Sequence, residues 1–218
     1  MIGPRIRVLL ADDHAAIRAG MRLMLEQAPD IAVVAEAADG AVALRQATAL
    51  RPDVVLMDIR MPGTDGIAAT RAITSAGLAD VLILTTFDFD DYLFGALRAG
   101  AAGFLLKTVE PGALVDAVRR VAAGDGIIAP EVTRRLLAAF VPDSTPATPP
   151  ASPLLDSLTG RERDVLAALG RGLSNADLAA SLTISEATAK THVSRVLAKL
   201  GCTSRVQAAI LAKEAGIA

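Results

Sequence analysis

Apolar positions in the first 124 residues follow two alternating rhythms. Short, nearly continuous runs (IRVLLA from Ile6, IAVVAEA from Ile31, DVVLMD from Asp53, VLILTT from Val81, GFLLKT from Gly103) are each followed by a stretch where apolar residues return every three or four positions, as in HAAIRAGMRLMLEQ from His14. Strands apolar on both faces and separated by crossover helices require a parallel sheet covered on both sides. Right-handed crossovers then leave few topologies, and the five units predict a doubly wound α/β domain over residues 5–124. Val132, Leu136, Leu137 and Phe140 are spaced helically, which predicts a linker helix within 125–141.

From Pro142 to Pro153 the rhythm stops. Five of these twelve residues are proline, which denies the segment both helix hydrogen bonds and a packed core. As extended polyproline it would hold its neighbours about 35 to 40 Å apart.

Residues 154–218 return to a helical period, in four helices. Thr159 with Glu162 makes a capping box, and Gly170 to Gly172 close the first helix. Ser174 caps a short second helix, Asn175 to Leu182; the turn Thr183-Ile184-Ser185 leads into a third, Glu186 to Leu200, stopped by Gly201; a fourth runs from Ser204 to about Ala215. On the third helix Ala189, Val193, Val196, Leu197 and Leu200 form one apolar stripe, leaving Thr188, Lys190, Thr191, Ser194 and Arg195 outside it. A short helix, a tight turn and a helix with a polar, cationic outer face make a helix-turn-helix, whose second helix can enter a DNA major groove. The alternative is a solvated face on a small helical bundle.

Composition narrows the classes. With 52% hydrophobic and 21% charged residues the chain is globular rather than disordered. No stretch reaches a membrane span and no signal-peptide pattern opens the chain, so a cytoplasmic protein with no membrane partner is expected. The lone Cys202 cannot form an internal disulfide and is given no role. The net charge of -2 is unevenly spread, for Ala187 to Lys213 holds Lys190, Arg195, Lys199, Arg205 and Lys213 without an acid. A local cationic surface of this kind attracts phosphate backbones.

The strand ends carry the chemistry. In VVLMDIRMPG four apolar residues run straight into Asp58, and an ionised group there is costly unless it is paired. Ligands of open α/β sheets gather at the carboxyl ends of the strands. Those ends are Asp12 and Asp13, Asp58, Thr85 and Thr86, and Lys107. Three carboxylates on one rim repel one another unless a cation sits between them, and a few hard oxygen donors suit Mg²⁺. His14, opening the first helix, is read as a solvated or capping histidine. Phe87, Phe89, Tyr92 and Phe94 are read as a protein-contact face.

In this order and spacing Asp12-Asp13, Asp58 with MPGTDG after it, Thr85 in LILTT and LRAGAAGFLLK ending in Lys107 resemble the receiver domain of two-component response regulators. The resemblance implies that Asp58 accepts a phosphoryl group from the phosphohistidine of a sensor histidine kinase, with Lys107 and Thr85 assisting. It also implies that Asp12, Asp13, Asp58 and the backbone carbonyl of Arg60 hold Mg²⁺. Thr85 and Phe104 become a switch, in which the hydroxyl moves toward the phosphoryl group and the ring turns inward behind it, altering the face of the fourth helix, fifth strand and fifth helix. Two departures stand out: Thr108 follows Lys107 where proline is common, and Arg60 places a bulky cation at the pocket mouth.

LTGRERDVL, GLSNADLA, LTISEATAKTHVSRVLAKLG and SRVQAAILA resemble the LuxR-type helix-turn-helix. With a receiver in front, the chain is similar to the NarL/FixJ class of bacterial transcription regulators. That likeness implies Lys190, Thr191 and Ser194 at base edges, and Thr188, His192, Arg195 and Lys199 mostly at phosphates. Val206, Ala209, Ile210 and Lys213 would form a homodimer contact on two half-sites of double-stranded DNA. Ala189 stands where a larger aliphatic residue is usual. The whole expectation is α/β plus all-α: a flavodoxin-like, five-stranded sheet in order 2-1-3-4-5, a proline-rich linker over 142–153, and a four-helix DNA-binding domain over 154–218. Two rivals remain. A Mg²⁺-dependent aspartyl-phosphate hydrolase would resemble Asp-x-Asp rather than adjacent aspartates, and a flavodoxin-like nucleotide binder would need a Ser/Thr/Gly-rich loop where ADDHAA stands.

Overall fold

The computed structural model describes residues 4–85, 95–128, 155 and 157–217. Strands β1 (Ile6–Ala11), β2 (Ile31–Ala37), β3 (Val54–Asp58), β4 (Asp80–Thr85), β5 (Gly103–Leu106) and β6 (Ile127–Ile128) form one parallel sheet in the order β2-β1-β3-β4-β5-β6. The expected order of the first five is observed, and β6 adds a short sixth strand that the sequence reading assigned to the start of a linker helix. The reason is local. Gly124 turns at φ +84° after α4 (Pro111–Ala122), and the β-branched pair behind it takes the free edge of β5 instead of a helix. The remainder of the linker helix, and the proline-rich segment, lie outside the described residues.

Helices α1 (Ala15–Glu26), α2 (Gly40–Leu50), α3 (Gly66–Ser75) and α4 cross between the strands. Their starts follow from capping: Asp39 accepts from Val42 N, Asp65 accepts from Ala68 N, and Pro111 occupies the first turn of α4. All five residues of β3 are buried, as two-sided coverage requires. The first turn of α3 touches the backbone of Asp58, where a side chain at Gly66 would collide with the Asp58 carbonyl oxygen.

A second core belongs to α5 (Gly160–Gly170), α6 (Asn175–Leu182), α7 (Glu186–Leu200) and α8 (Arg205–Glu214). The capping box at Thr159 and Glu162 is present, Ser174, Ser185 and Ser204 cap the next three helices, and Gly201 ends α7. Ala189, Val193, Val196 and Leu200 are buried as the stripe predicts, with Leu197 half-buried.

Candidate functional site

Register builds the acidic pocket. Ala11 lies opposite Met57, so Asp12 and Asp58 leave the sheet side by side at its carboxyl edge. Thr85 pairs with Leu106, and the next residue, Lys107, donates its N–H to the Thr85 carbonyl at 2.9 Å. The Lys107 Nζ then stands 2.7 Å from Asp12 Oδ2 and 2.9 Å from Asp58 Oδ2. The three side chains are 11%, 3% and 9% exposed, so the interaction is only weakly screened. Burial raises the Asp58 carboxyl above its ordinary range and the Asp12 charge adds to this, with Lys107 opposing both. Burial works against the Lys107 ammonium, but the two carboxylates outweigh it and hold the proton more tightly than usual.

Asp13 turns to the rim, its Oδ1 2.6 Å from His14 Nδ1. His14 is the N-cap residue of α1 yet makes no side-chain cap bond; its ring is 67% exposed, so of the two roles expected for it the solvated one is observed. Asp12, Asp13 and His14 each bring a ligand atom within 4.8 Å of the others. Two carboxylates on one ammonium, with the Asp13 carboxylate beside them at the rim, leave excess negative charge and hard oxygen donors, a donor set that fits Mg²⁺. Arg60 is exposed at the mouth and Thr85 half-buried at the end of β4. Phe104 is fully buried, so the expected inward turn of an exposed ring does not start from this packing. Among the described residues no peptide is cis, hence Lys107–Thr108 is trans. Thr86 and the aromatic group Phe87, Phe89, Tyr92 and Phe94 lie outside the described residues.

Sequence reading missed Arg18. Its Nη1 donates to the Asp12 carbonyl at 2.6 Å and its Nε to Glu36 at 3.1 Å, while Glu36 also accepts from Arg22. This bracket fixes the loop that carries Asp12. Arg18 and Glu36 are eighteen residues apart, and nothing in the local pattern marks them as a pair.

In the helical domain Thr188, Lys190, Thr191, Ser194 and Arg195 are exposed along α7, and His192 is half-buried. The Thr191 and Ser194 hydroxyls donate back to the Ala187 and Lys190 carbonyls, which leaves their oxygens outward as acceptors. Lys199 is exposed but paired within its own domain: its Nζ lies 2.7 Å from Glu162 and holds that carboxyl down to about 2, with the Thr159 N–H helping. Of the expected dimer residues, Val206 is buried in the hydrophobic core of the α/β domain and Ile210 packs against it, Ala209 is half-buried and Lys213 exposed. Gln207 Nε2 donates to the carbonyls of Leu97 and Arg98, each at 3.0 Å.

Residues 8–119 match the family model described as the response regulator receiver domain, and residues 156–212 that of bacterial regulatory proteins, luxR family. The chain is 41% identical to the uncharacterized transcriptional regulatory protein YxjL of Bacillus subtilis, covering 98% of this chain and 97% of that one. It is 35% identical to the nitrate/nitrite response regulator protein NarL of Escherichia coli over 93% of each chain. Among solved structures, the response regulator ChrA of a heme-sensing two-component system shares 42% identity and a TM-score of 0.55, covering 98% of this chain and 99% of that one. Among the described residues no helix is long and apolar enough to cross a membrane. Two domains joined in this order, matched from end to end by transcription regulators, place the chain in the NarL/FixJ class of bacterial response regulators, which couple a receiver to a LuxR-type helix-turn-helix that binds DNA.

Proposed function

We propose that this regulator is switched by phosphorylation of Asp58. The observation that carries the reading is the buried triad in which one ammonium, Lys107, bridges Asp12 and Asp58 at the open edge of the sheet. An Asp58 oxygen attacks the phosphorus of a kinase phosphohistidine, the P–N bond breaks, and its electron pair leaves with the imidazole. Lys107 stabilises charge on the transferring oxygens, and positioning with electrostatics does most of the work, so no protein base is required. Asp12, Asp13, Asp58 and the Arg60 carbonyl would hold Mg²⁺, which when bound supplies further charge neutralisation. Thr85 and Phe104 would then exchange packings, releasing the helical domain as a DNA-binding homodimer in the cytoplasm.

Lys190, Thr191 and Ser194 would read bases, and Thr188, His192 and Arg195 would meet phosphates. Lys199 keeps a phosphate role only if it leaves Glu162. The Val206 and Ile210 face is available for a dimer only after the receiver lets go. Incubation of the full chain with acetyl phosphate and Mg²⁺, followed by intact mass measurement, tests the acceptor: wild type gains one phosphoryl group and Asp58→Asn gains none. Equal labelling of the variant refutes the assignment.

A further inference from the structure

The two domains meet through a charged clasp at the end of the receiver sheet opposite the acceptor. Asp125, just after α4, accepts at one oxygen from Arg205 Nη1 at 2.6 Å and from the backbone N–H of Asn175 at 3.0 Å. Arg205 and Asp125 retain only 10% and 14% exposure. Arg205 also donates to the Gly124 carbonyl, to Asn175 Oδ1 and to the Leu173 carbonyl, and Asn175 Nδ2 donates to the Ala123 carbonyl. The crevice between the domains, about 190 Å³, has Lys190 and Ser194 of α7 on one wall and Asp80 on the other. The charge of Lys190 acts on Asp80.

Asn175 is the first residue of α6, the helix before the recognition helix, so its N–H is one of the donors that no helical carbonyl satisfies. A guanidinium beside such a helix end is an anion site, and it takes a carboxylate or a phosphodiester by the same charge-assisted bonds. The first helix of a helix-turn-helix crosses the DNA backbone, and helix N-termini are regular phosphate donors. Arg205 and Asn175 share their crevice with Lys190 and Ser194, which face DNA in the reading above. We propose that the Asn175 N–H and Arg205 form a phosphodiester-binding site of the reader, and that the receiver carboxylate of Asp125 fills it in the closed chain. DNA and receiver thus compete for the same cation and the same helix end. This rests on the reading of the chain as a phosphorylation-switched DNA binder and adds two contacts to it.

The test uses the full unphosphorylated chain and a fluorescently labelled duplex of random sequence, with anisotropy read across a salt series. Asp125→Asn is expected to bind about tenfold more tightly than wild type, and its plot of log K against log salt to steepen by about one unit, the signature of an added phosphate contact. Adding Arg205→Gln should erase that extra slope, and Arg205→Lys should keep it. An Asp125→Asn chain indistinguishable from wild type overturns the proposal. So does a gain that survives Arg205→Gln in a chain shown folded by circular dichroism, because Asp125 would then be a latch and not a phosphate stand-in. If Arg205→Gln does not fold, the Asn175 amide and Arg205 Nε–H resonances of the Asp125→Asn chain decide: movement on adding the duplex supports the site, and no movement overturns it. If the wild-type chain treated with acetyl phosphate and Mg²⁺ fails to bind any duplex, the underlying reading falls; a failure confined to Asp125 and Arg205 leaves that reading standing.

Discussion

Replacing Lys107 by Met removes the ammonium that bridges Asp12 and Asp58 while keeping most of the side-chain volume. The two carboxyl groups it bridges, at 2.7 and 2.9 Å, are 3% and 9% exposed and side by side. Removing one partner of a buried ion pair costs about 3 to 5 kcal/mol because a charge is left without compensation. The pocket opens to the rim, where water can reach in, so the lower end applies and about 3 kcal/mol is expected for the receiver without Mg²⁺. The sign of the pH dependence follows from the carboxylates. Burial already raises Asp58 in the wild type against the opposing charge of Lys107, and without that charge the folded variant takes up a proton at Asp58 more readily than the unfolded chain does. Its deficit is therefore full near neutral pH and shrinks as pH falls toward the carboxylate range. Urea unfolding followed by far-UV circular dichroism at several pH values, without divalent metal, measures both effects. A variant that unfolds at the wild-type midpoint near neutral pH, or whose deficit is unchanged in acid, refutes the idea that Lys107 neutralises two desolvated charges.

Asp58→Asn should act in the opposite direction, raising the receiver's stability near neutral pH, because the ionised Asp58 is held against a burial penalty that an amide does not carry; calorimetry without Mg²⁺ checks it, and a lower melting temperature contradicts it. Glu162, held down to about 2 by Lys199, should give the helical domain a stability that is present above the ordinary carboxylate range and lost as pH falls through about 2, so Glu162→Gln should lower the melting temperature near neutral pH with the gap closing in strong acid. Lys190→Ala should weaken operator binding by about 1 to 3 kcal/mol if the side chain reads a base. Titration of the acetyl-phosphate-treated chain measures that loss, and unchanged affinity removes Lys190 from the reading surface.

The parts of this chain legible in its sequence are those whose cause is local or periodic. Five apolar runs became five parallel strands because apolar strands separated by crossover helices pair in parallel, and the capping residues Thr159 and Ser174 marked helix starts by chemistry confined to three positions. Asp12, Asp58 and Lys107 could be placed on one rim because strand ends in a parallel sheet share an edge. What escaped was set by contacts across the fold. The bracket of Arg18 on Asp12 depends on Glu36 being brought over by β2. Lys199 reads in sequence as another cation of the DNA face, yet a helix packed alongside supplies Glu162 and pairs its exposed ammonium. The clasp of Asp125 with Arg205 spans eighty residues, and neither end carries a sequence mark that the other exists.

That clasp constrains how a signal could reach the reader. Thr85 and Asp80 are the two ends of β4, so at about 3.3 Å per residue the acceptor rim and the interdomain crevice stand about 16 Å apart along a buried strand. A phosphoryl group on Asp58 is too far away to displace the Asp125 carboxylate by contact or direct repulsion. Among the described residues the reader is held at two places, by Leu97 and Arg98 through Gln207 and by Asp125 at the edge of the sheet. There Phe104 pairs with Ile128, three residues beyond Asp125 on the same chain segment. A repacking of the buried Phe104 ring that shifts β6 against β5 would therefore move a strand that begins two residues beyond Asp125. If Phe104 acts as the switch and Asp125 as the lock proposed above, the short sixth strand, the one element of the sheet that periodicity did not predict, would join the two.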